Sequence, residues 1–321
     1  MSLTIALAGD TMLGRGVARA LTESRWPLVA PEVAEIAAEA DLFVVNLECC
    51  ISRRGARWPD PDKPFFFRAP PEAAQMLAEL GIDCVTLANN HALDYGAEGL
   101  LDTLEHLAAA GVGWVGAGAD VQAARAPQVL EAAGGRVRVV AVSDHPRDFA
   151  AGPDRPGIAF ADLRRGALPR WLPATIADAT EPVLVSPHWG PNMTSEPVAH
   201  VRDAGAALEA AGAALVAGHS AHVFHGVRGP ILYDLGDFLD DYAVDPELRN
   251  DLGVLFLATF DGVELASMEA VPLKLEYCHT RLADGEDAAW VRRRFARACA
   301  NLGTEVTEVA GRLRVSAPPA A

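Results

Sequence analysis

The sequence lacks several features that would each assign it to a definite class. No stretch approaches the ~18 uninterrupted apolar residues of a membrane-crossing helix, because the alanine-rich segment 204–217 is interrupted by Glu209. The first ten residues, MSLTIALAGD, carry no basic segment and reach Asp10 before an export signal can form, so the expected location is cytoplasmic. Cys-x-x-Cys pairs are missing, and five cysteines with Cys49 beside Cys50 read as reduced thiols, not a disulfide framework. Positive charge is scarce: 27 Lys and Arg stand against 43 Asp and Glu, for a net −16. A field of that sign repels polyphosphate backbones and anionic headgroups, so neither nucleic acid nor a membrane surface is an expected partner. Internal repeats and a dividing linker are missing as well.

What remains is a chain of 321 residues, 50% hydrophobic and 22% charged, which fits a folded protein with one large core. Short apolar runs at 3–8, 42–46, 84–88, 137–142, 183–187 and 214–217 read as strands. Helical patterns lie between them at 71–80, 99–110 and 196–211, punctuated by Pro71 and by Gly81, Gly111 and Gly212. After Gly226 the runs shorten, and 231–235, 253–259 and 270–275 predict antiparallel strands that complete a second sheet. A charged surface helix is expected over 284–302. The fold class is therefore layered α/β, a single domain over 1–315 with an added β portion after 226, followed by a loose tail at 316–321.

Polar residues follow the strand ends with regularity: Asp10; Asn46 and Glu48; Asn89, Asn90 and His91; His188; His219 and His222. In open α/β sheets the loops beyond the strand C-termini meet along one edge, so these side chains are expected in one crevice. Singly, each has a plainer explanation as a helix cap or a turn residue. Together they suit one divalent cation. Oxygens from Asp10, Glu48 and Asn90 fit Ca²⁺, Mg²⁺ or Mn²⁺, whereas recruiting His188, His219 and His222 favours Mn²⁺, Fe or Zn²⁺.

Acid/base candidates accompany them. His91 and Asp94 are three apart and share a face if the segment turns helical. Asp234 and Asp237, in GPILYDLGDFLDDY, are placed to orient His219 and His222, as an aspartate orients histidine in hydrolytic triads. A basic loop holding Arg53, Arg54, Arg57, Lys63 and Arg68 offers an anion grip despite the overall charge. There Arg53, Arg54 or Arg57 would hold a terminal carboxylate, and Trp58 with Phe65, Phe66 and Phe67 would receive an apolar side chain.

GDTML (9–13), NLE (46–48), ANNHALDYG (88–96), HWG (188–190) and GHSAHV (218–223), in that order, resemble the bacterial CapA family, named for poly-γ-glutamate capsule synthesis and similar in fold to calcineurin-like metallophosphoesterases. The resemblance spans about 3–260. It implies a four-layer α/β/β/α sandwich with a metal crevice, in which Asp10 and Glu48 are carboxylate ligands and Glu48 takes the bridging position. Asn90 with His91, His188, and Gly218 with His219 and His222 match the remaining motifs. Departures occur at Met12, where the phosphoesterases have histidine, at the two residues Ser220 and Ala221 between the last histidines, and at Asp234 and Asp237, where many relatives have Ser and Asn.

Two reactions suit such a site: hydrolysis of a phosphoester or amide by activated water, or removal and return of a Cα proton. Soluble members of the family include peptide epimerases of lasso-peptide biosynthesis. The resemblance thus implies an isomerase inverting the C-terminal residue of a ribosomal precursor peptide, with hydrolysis, or non-catalytic binding of poly-γ-glutamate or a partner protein, as alternatives.

Overall fold

The computed structural model describes residues 2–23, 27–165 and 167–315; the tail expected at 316–321 lies outside the described residues. Two sheets carry the fold. In the first, of ten strands, Ser2–Thr11, Leu42–Leu47, Cys84–Thr86 and Gly113–Val115 run parallel in that order. Leu252–Asp261 and then Glu264–Glu276 continue it antiparallel on the other side of Ser2–Thr11. In the second sheet Gly135–Ser143, Val183–His188, Leu215–Ala217 and Ile231–Leu232 are parallel, and Gln128–Ala132 and Val227–Arg228 close its edges antiparallel.

Period-two alternation sends each strand into two different cores. Ile5 and Leu7 meet Val139 and Ala141 between the sheets. Ala6 and Ala8 instead face the helices Arg15–Glu23, Pro31–Ala37, Glu72–Glu79 and Gly96–Ala110 through Val17, Val33, Leu77 and Leu100. On the far side, Val140 and Val142 pack against Trp171–Ala177 and Ala199–Ala210 through Leu172, Ile176, Val201 and Leu208. Helix, sheet, sheet and helix are therefore layered in that order. The remaining long helix, Gly285–Ala300, reaches the intersheet core through Val291, Phe295 and Cys299.

The strand expectations after Gly226 need correction. Of the three expected runs only the first, as Ile231–Leu232, joins the second sheet, and it pairs parallel with Leu215–Ala217. The segments at 253–259 and 270–275 belong to longer strands that extend the first sheet from Ser2–Thr11. Both neighbours of Ser2–Thr11 are thereby occupied, so the strand that carries the first motif has no open edge. A spacing pattern cannot show which of two sheets offers that edge.

Candidate metal centre

Parallel strands of both sheets end at one crevice. Ser2–Thr11 delivers Asp10 into it through an irregularity. Its register against Leu42–Leu47 shifts between Ala8 and Asp10, and its register against Asp237–Leu239 shifts between Asp10 and Thr11. Such bulges re-aim a side chain. Gly9 permits the close pairing, because a Cβ there would lie 1.9 Å from the Gly236 carbonyl oxygen. Gly218 does the same for the His219 loop, where a Cβ would meet the Tyr233 carbonyl oxygen at 2.2 Å. Ser220 and His222 then follow at φ 110° and 58°, a backbone that L-residues adopt only under constraint.

Asp10 is fully buried and at the centre of the crevice. Its Oδ1 accepts from Asn46 Nδ2 at 2.8 Å and lies 3.0 Å from His219 Nδ1; its Oδ2 is 3.4 Å from His222 Nδ1. Asn46 is itself pinned, its Oδ1 accepting from Thr86 Oγ1 and Asn89 Nδ2, each at 3.0 Å. Glu48, also fully buried, brings Oε1 to 3.8 Å from His188 Nε2 and Oε2 to 3.9 Å from His222 Nδ1. Ligand atoms of Asp10, Glu48 and His188 lie within 4.8 Å of one another, as do those of Asp10, His222 and Asp237.

Buried polar atoms without a hydrogen-bond partner concentrate here: Asp10 Oδ2, Glu48 Oε1, Asn90 Oδ1, Asp237 Oδ2 and both ring nitrogens of His188. Burying such atoms unpaired is costly. Carboxylate oxygens and imidazole nitrogens gathered without partners fit a divalent cation, so the donor set is chemically suited to one.

Electrostatics agree with the geometry. Burial alone would raise the Asp10 carboxyl, but the hydrogen bond and charge of His219, with His222 and His188, hold it below the usual range. Glu48 is pushed well up by burial and by the Asp10 charge. Burial also raises Asp234 and Asp237. His188 is held low by burial. For His222, burial is outweighed by Asp237, Glu48 and Asp10, and its pKa rises.

Two histidines are held by their own aspartates beside a cavity of about 470 Å³ that both help to line. His91 Nδ1 lies 2.6 Å from Asp94 Oδ2 and its ring stacks on Phe67 at 4.1 Å. Burial brings His91 down to about 4 against the pull of Asp94. His222 Nδ1 lies 2.8 Å from Asp237 Oδ1. Asp94 is fixed in turn by the Phe67 N–H at 2.6 Å and by Lys63 Nζ at 3.0 Å.

Not every expected role is matched by placement. Asp234 does not reach His219; its carboxylate accepts from the Ala221 and Gly236 N–H groups, both at 2.8 Å, and so shapes the two loops. The partner of His219 is Asp10. Asn90 presents a buried Oδ1 while its carbonyl accepts from Lys63 Nζ at 2.8 Å.

Of the basic loop, Lys63 reaches the site through Asp94 and Asn90, but its arginines face elsewhere. Arg53 pairs with Glu72, Arg54 with Asp102 and Glu98, Arg57 lies over Phe66, and Arg68 lies 4.0 Å over the Tyr95 ring. Trp58 packs edge-on against Phe149 at 4.8 Å. None of these five lines the cavity. Acidic residues on the Glu72–Glu79 and Gly96–Ala110 helices attract Arg53 and Arg54, and spacing in the sequence does not show that.

Three residues beside the site were not among those expected from the sequence. Arg15 lines the cavity two residues beyond GDTML. Tyr242 also lines it, with its hydroxyl 3.4 Å from Glu48 Oε2, and closes the DDY run. His145, whose Nδ1 is 2.5 Å from Asp144 Oδ1, brings its ring 5.3 Å from His188. His145 does follow a strand end, that of Gly135–Ser143, and the strand-end rule applied there would have found it.

Fold and site together define a layered α/β protein with a candidate metal centre at its strand ends. The chain belongs to the bacterial capsule synthesis protein (PGA_cap) family, whose profile matches residues 4–242. It is 31% identical to a "Probable polyglutamine synthesis accessory protein" of Mycobacterium tuberculosis, over 95% of this chain and 93% of that protein. It is 27% identical to the PGA biosynthesis protein CapA of Bacillus subtilis, over 74% of this chain and 63% of that one. A hypothetical protein of Thermus thermophilus shares the fold at TM-score 0.51 and 18% identity, covering 85% of this chain and 99% of its own. Among the described residues no helix is long and apolar enough to cross a membrane.

Proposed function

We propose that this protein is a metal-dependent epimerase that inverts the Cα centre of the C-terminal residue of a ribosomal, lasso-type precursor peptide. One observation carries the proposal: two Asp-held histidines, His91 with Asp94 and His222 with Asp237, line one cavity beside a cluster of unpartnered carboxylates. Inversion requires a base on one face of the carbon and an acid on the other. One imidazole accepts the Cα proton as the C–H bond breaks and its electron pair moves toward the adjacent carboxyl. The other imidazole delivers a proton to the opposite face, and the aspartates keep both rings oriented. Asp10, Glu48 and His188, with Asn90, would hold the cation. When bound, it supplies positive charge that favours negative charge developing on a substrate carboxyl oxygen.

Incubation with a candidate precursor in D₂O is expected to add one deuterium at the terminal Cα; an unchanged mass after prolonged incubation would sink the proposal. Asp94→Asn keeps the shape of the dyad but loses its charge, and is expected to lower turnover by about 10²–10⁴. Cation affinity, read by calorimetry, should stay within about threefold, since orientation of His91 lies outside the ligand set. A matching loss of affinity would place Asp94 in the centre itself.

Metal-assisted hydrolysis is the second reading, favoured by the convergence of Asp10, Glu48 and His188 and by the resemblance to calcineurin-like phosphoesterases. Met12, at the phosphoesterase histidine position, is buried and its sulfur takes the Gly14 N–H at 3.0 Å, which weakens the case for a full two-metal clamp. Turnover of a chromogenic phosphodiester would favour hydrolysis. An accessory role in polymer synthesis, as the relatives' names suggest, predicts turnover in neither assay.

A further inference from the structure

The wall of the cavity carries a feature that the acid/base chemistry leaves unused. Arg15 is the one Lys or Arg among the residues that line it. Its guanidinium lies 5.0 Å from the Phe67 ring centroid, 5.4 Å from Tyr242 and 5.8 Å from Phe65. Asp241 grips one edge of the fork, accepting from Nε at 2.9 Å and also from Nη2, and is itself fixed by the Gly16 N–H at 2.8 Å. Among the described residues no acceptor lies on Nη1, and the side chain stays 35% exposed.

The backbone adds a second sign of construction. Arg15, Met193 and His222 hold φ of 50°, 53° and 58°, and all three line this cavity. Residues held in that region cluster where a binding surface demands a particular aim. Beside the guanidinium, Phe65 and Met193 remain 54% and 38% exposed, an uncovered apolar rim.

We infer that Arg15 is a specificity residue that docks a carboxylate, with Phe65 and Met193 receiving the apolar side chain next to it. A planar fork with one edge neutralised and the other free suits a carboxylate better than a dianionic phosphate. Asp241 and the three surrounding rings fix the fork in advance, so little entropy is lost when the anion arrives. The ligand class is thus the free C-terminal end of a peptide with an apolar last residue. This deepens the epimerase reading and rests on it for the identity of the reacting carbon, but the docking itself is separable from turnover.

The test is therefore a binding measurement in EDTA, where no cation competes for the carboxylate. N-acetyl-L-phenylalanine, its primary amide and N-acetyl-L-glutamate are titrated by NMR against the full chain. The acid is expected to bind about 10- to 100-fold tighter than the amide, the worth of a charge-assisted hydrogen bond. Arg15→Gln should remove that preference, Arg15→Lys should retain part of it, and Arg53→Gln should leave it unchanged. Equal binding of acid and amide, binding of neither, or a preference that survives Arg15→Gln would overturn the assignment. Tighter binding of the glutamate derivative would overturn its apolar half. No deuterium incorporation by the unmutated protein, with the acid preference intact, would defeat the epimerase reading alone.

Discussion

Glu48→Gln is expected to lower divalent-cation affinity at least ~100-fold and to bring turnover below detection, while raising the melting temperature of the cation-free protein at pH 8. A ligating carboxylate contributes more than the outer groups whose loss already costs about 10- to 100-fold. The rise in stability follows from the same residue. Glu48 is fully buried, its Oε1 has no partner, and burial together with Asp10 disfavours its charge. Glutamine keeps the shape and removes the charge that costs most without a cation. Calorimetric titration with Mn²⁺ and with Ca²⁺, and thermal melts in EDTA, read the two halves separately. Wild-type affinity in the variant would remove Glu48 from the ligand set, and a lower melting temperature would show that its charge is not repelled.

The second large effect is a pH profile that a cation reverses. In EDTA the melting temperature is expected to fall as pH rises above about 6.5, the ordinary histidine pKa, and saturating Mn²⁺ or Ca²⁺ should remove most of that fall. Glu48, Asp234 and Asp237 are raised well above their ordinary values by burial; Asp240, pushed up to about 6, gives up most of its share below this window. Unfolded carboxyls release their protons near 4. In between, the folded chain binds more protons than the unfolded one, so stability is lost as pH rises through the folded values. His222, raised by the surrounding carboxylates, acts with the same sign: its contribution is complete below its unfolded pKa and lost as pH rises through the folded one.

His91 and His225, brought down to about 4 by burial, and His188, also lowered, act oppositely, and only as pH falls below 6.5. Asp10 is depressed, so its contribution is fully present throughout the window. Above 6.5 the raised groups therefore act alone. At a thousandfold excess over Kd a cation adds about 4 kcal/mol of stability. A flat or rising profile in EDTA would mean that the carboxylates are not held against their preferred state.

How far the site was legible depended on whether its residues act through position along a strand or through neighbours in space. Asp10, Glu48 and His188 stand at or just beyond strand ends, and parallel strands of layered sheets bring such ends to one edge, so their meeting followed from the pattern alone. His91 with Asp94 was visible as a three-residue spacing. The partner of His219 was not, because Asp10 is 209 residues away and Asp234 looked nearer in sequence; only the pairing of strand Asp237–Leu239 beside Ser2–Thr11 decides it. The arginines of the basic loop misled for a similar reason: exposed cations fold back onto neighbours in space, acids for Arg53 and Arg54 and rings for Arg57 and Arg68. Arg15, between Gly14 and Gly16, gave no signal of its own and acquires its place from Asp241 and from rings at positions 65, 67 and 242.

Because the Asp10 N–H in the first strand bonds the Gly236 carbonyl, its surroundings cannot exist until the chain has been made through residue 236. A nascent chain on the ribosome would carry half a cage, acids without the imidazoles that balance them, for most of its synthesis. Closing a loop of that length is slow relative to local helix formation. Cation capture would then wait for the segment at 236–239 to pair beside the first strand, and fragments ending before residue 237 remain empty-handed.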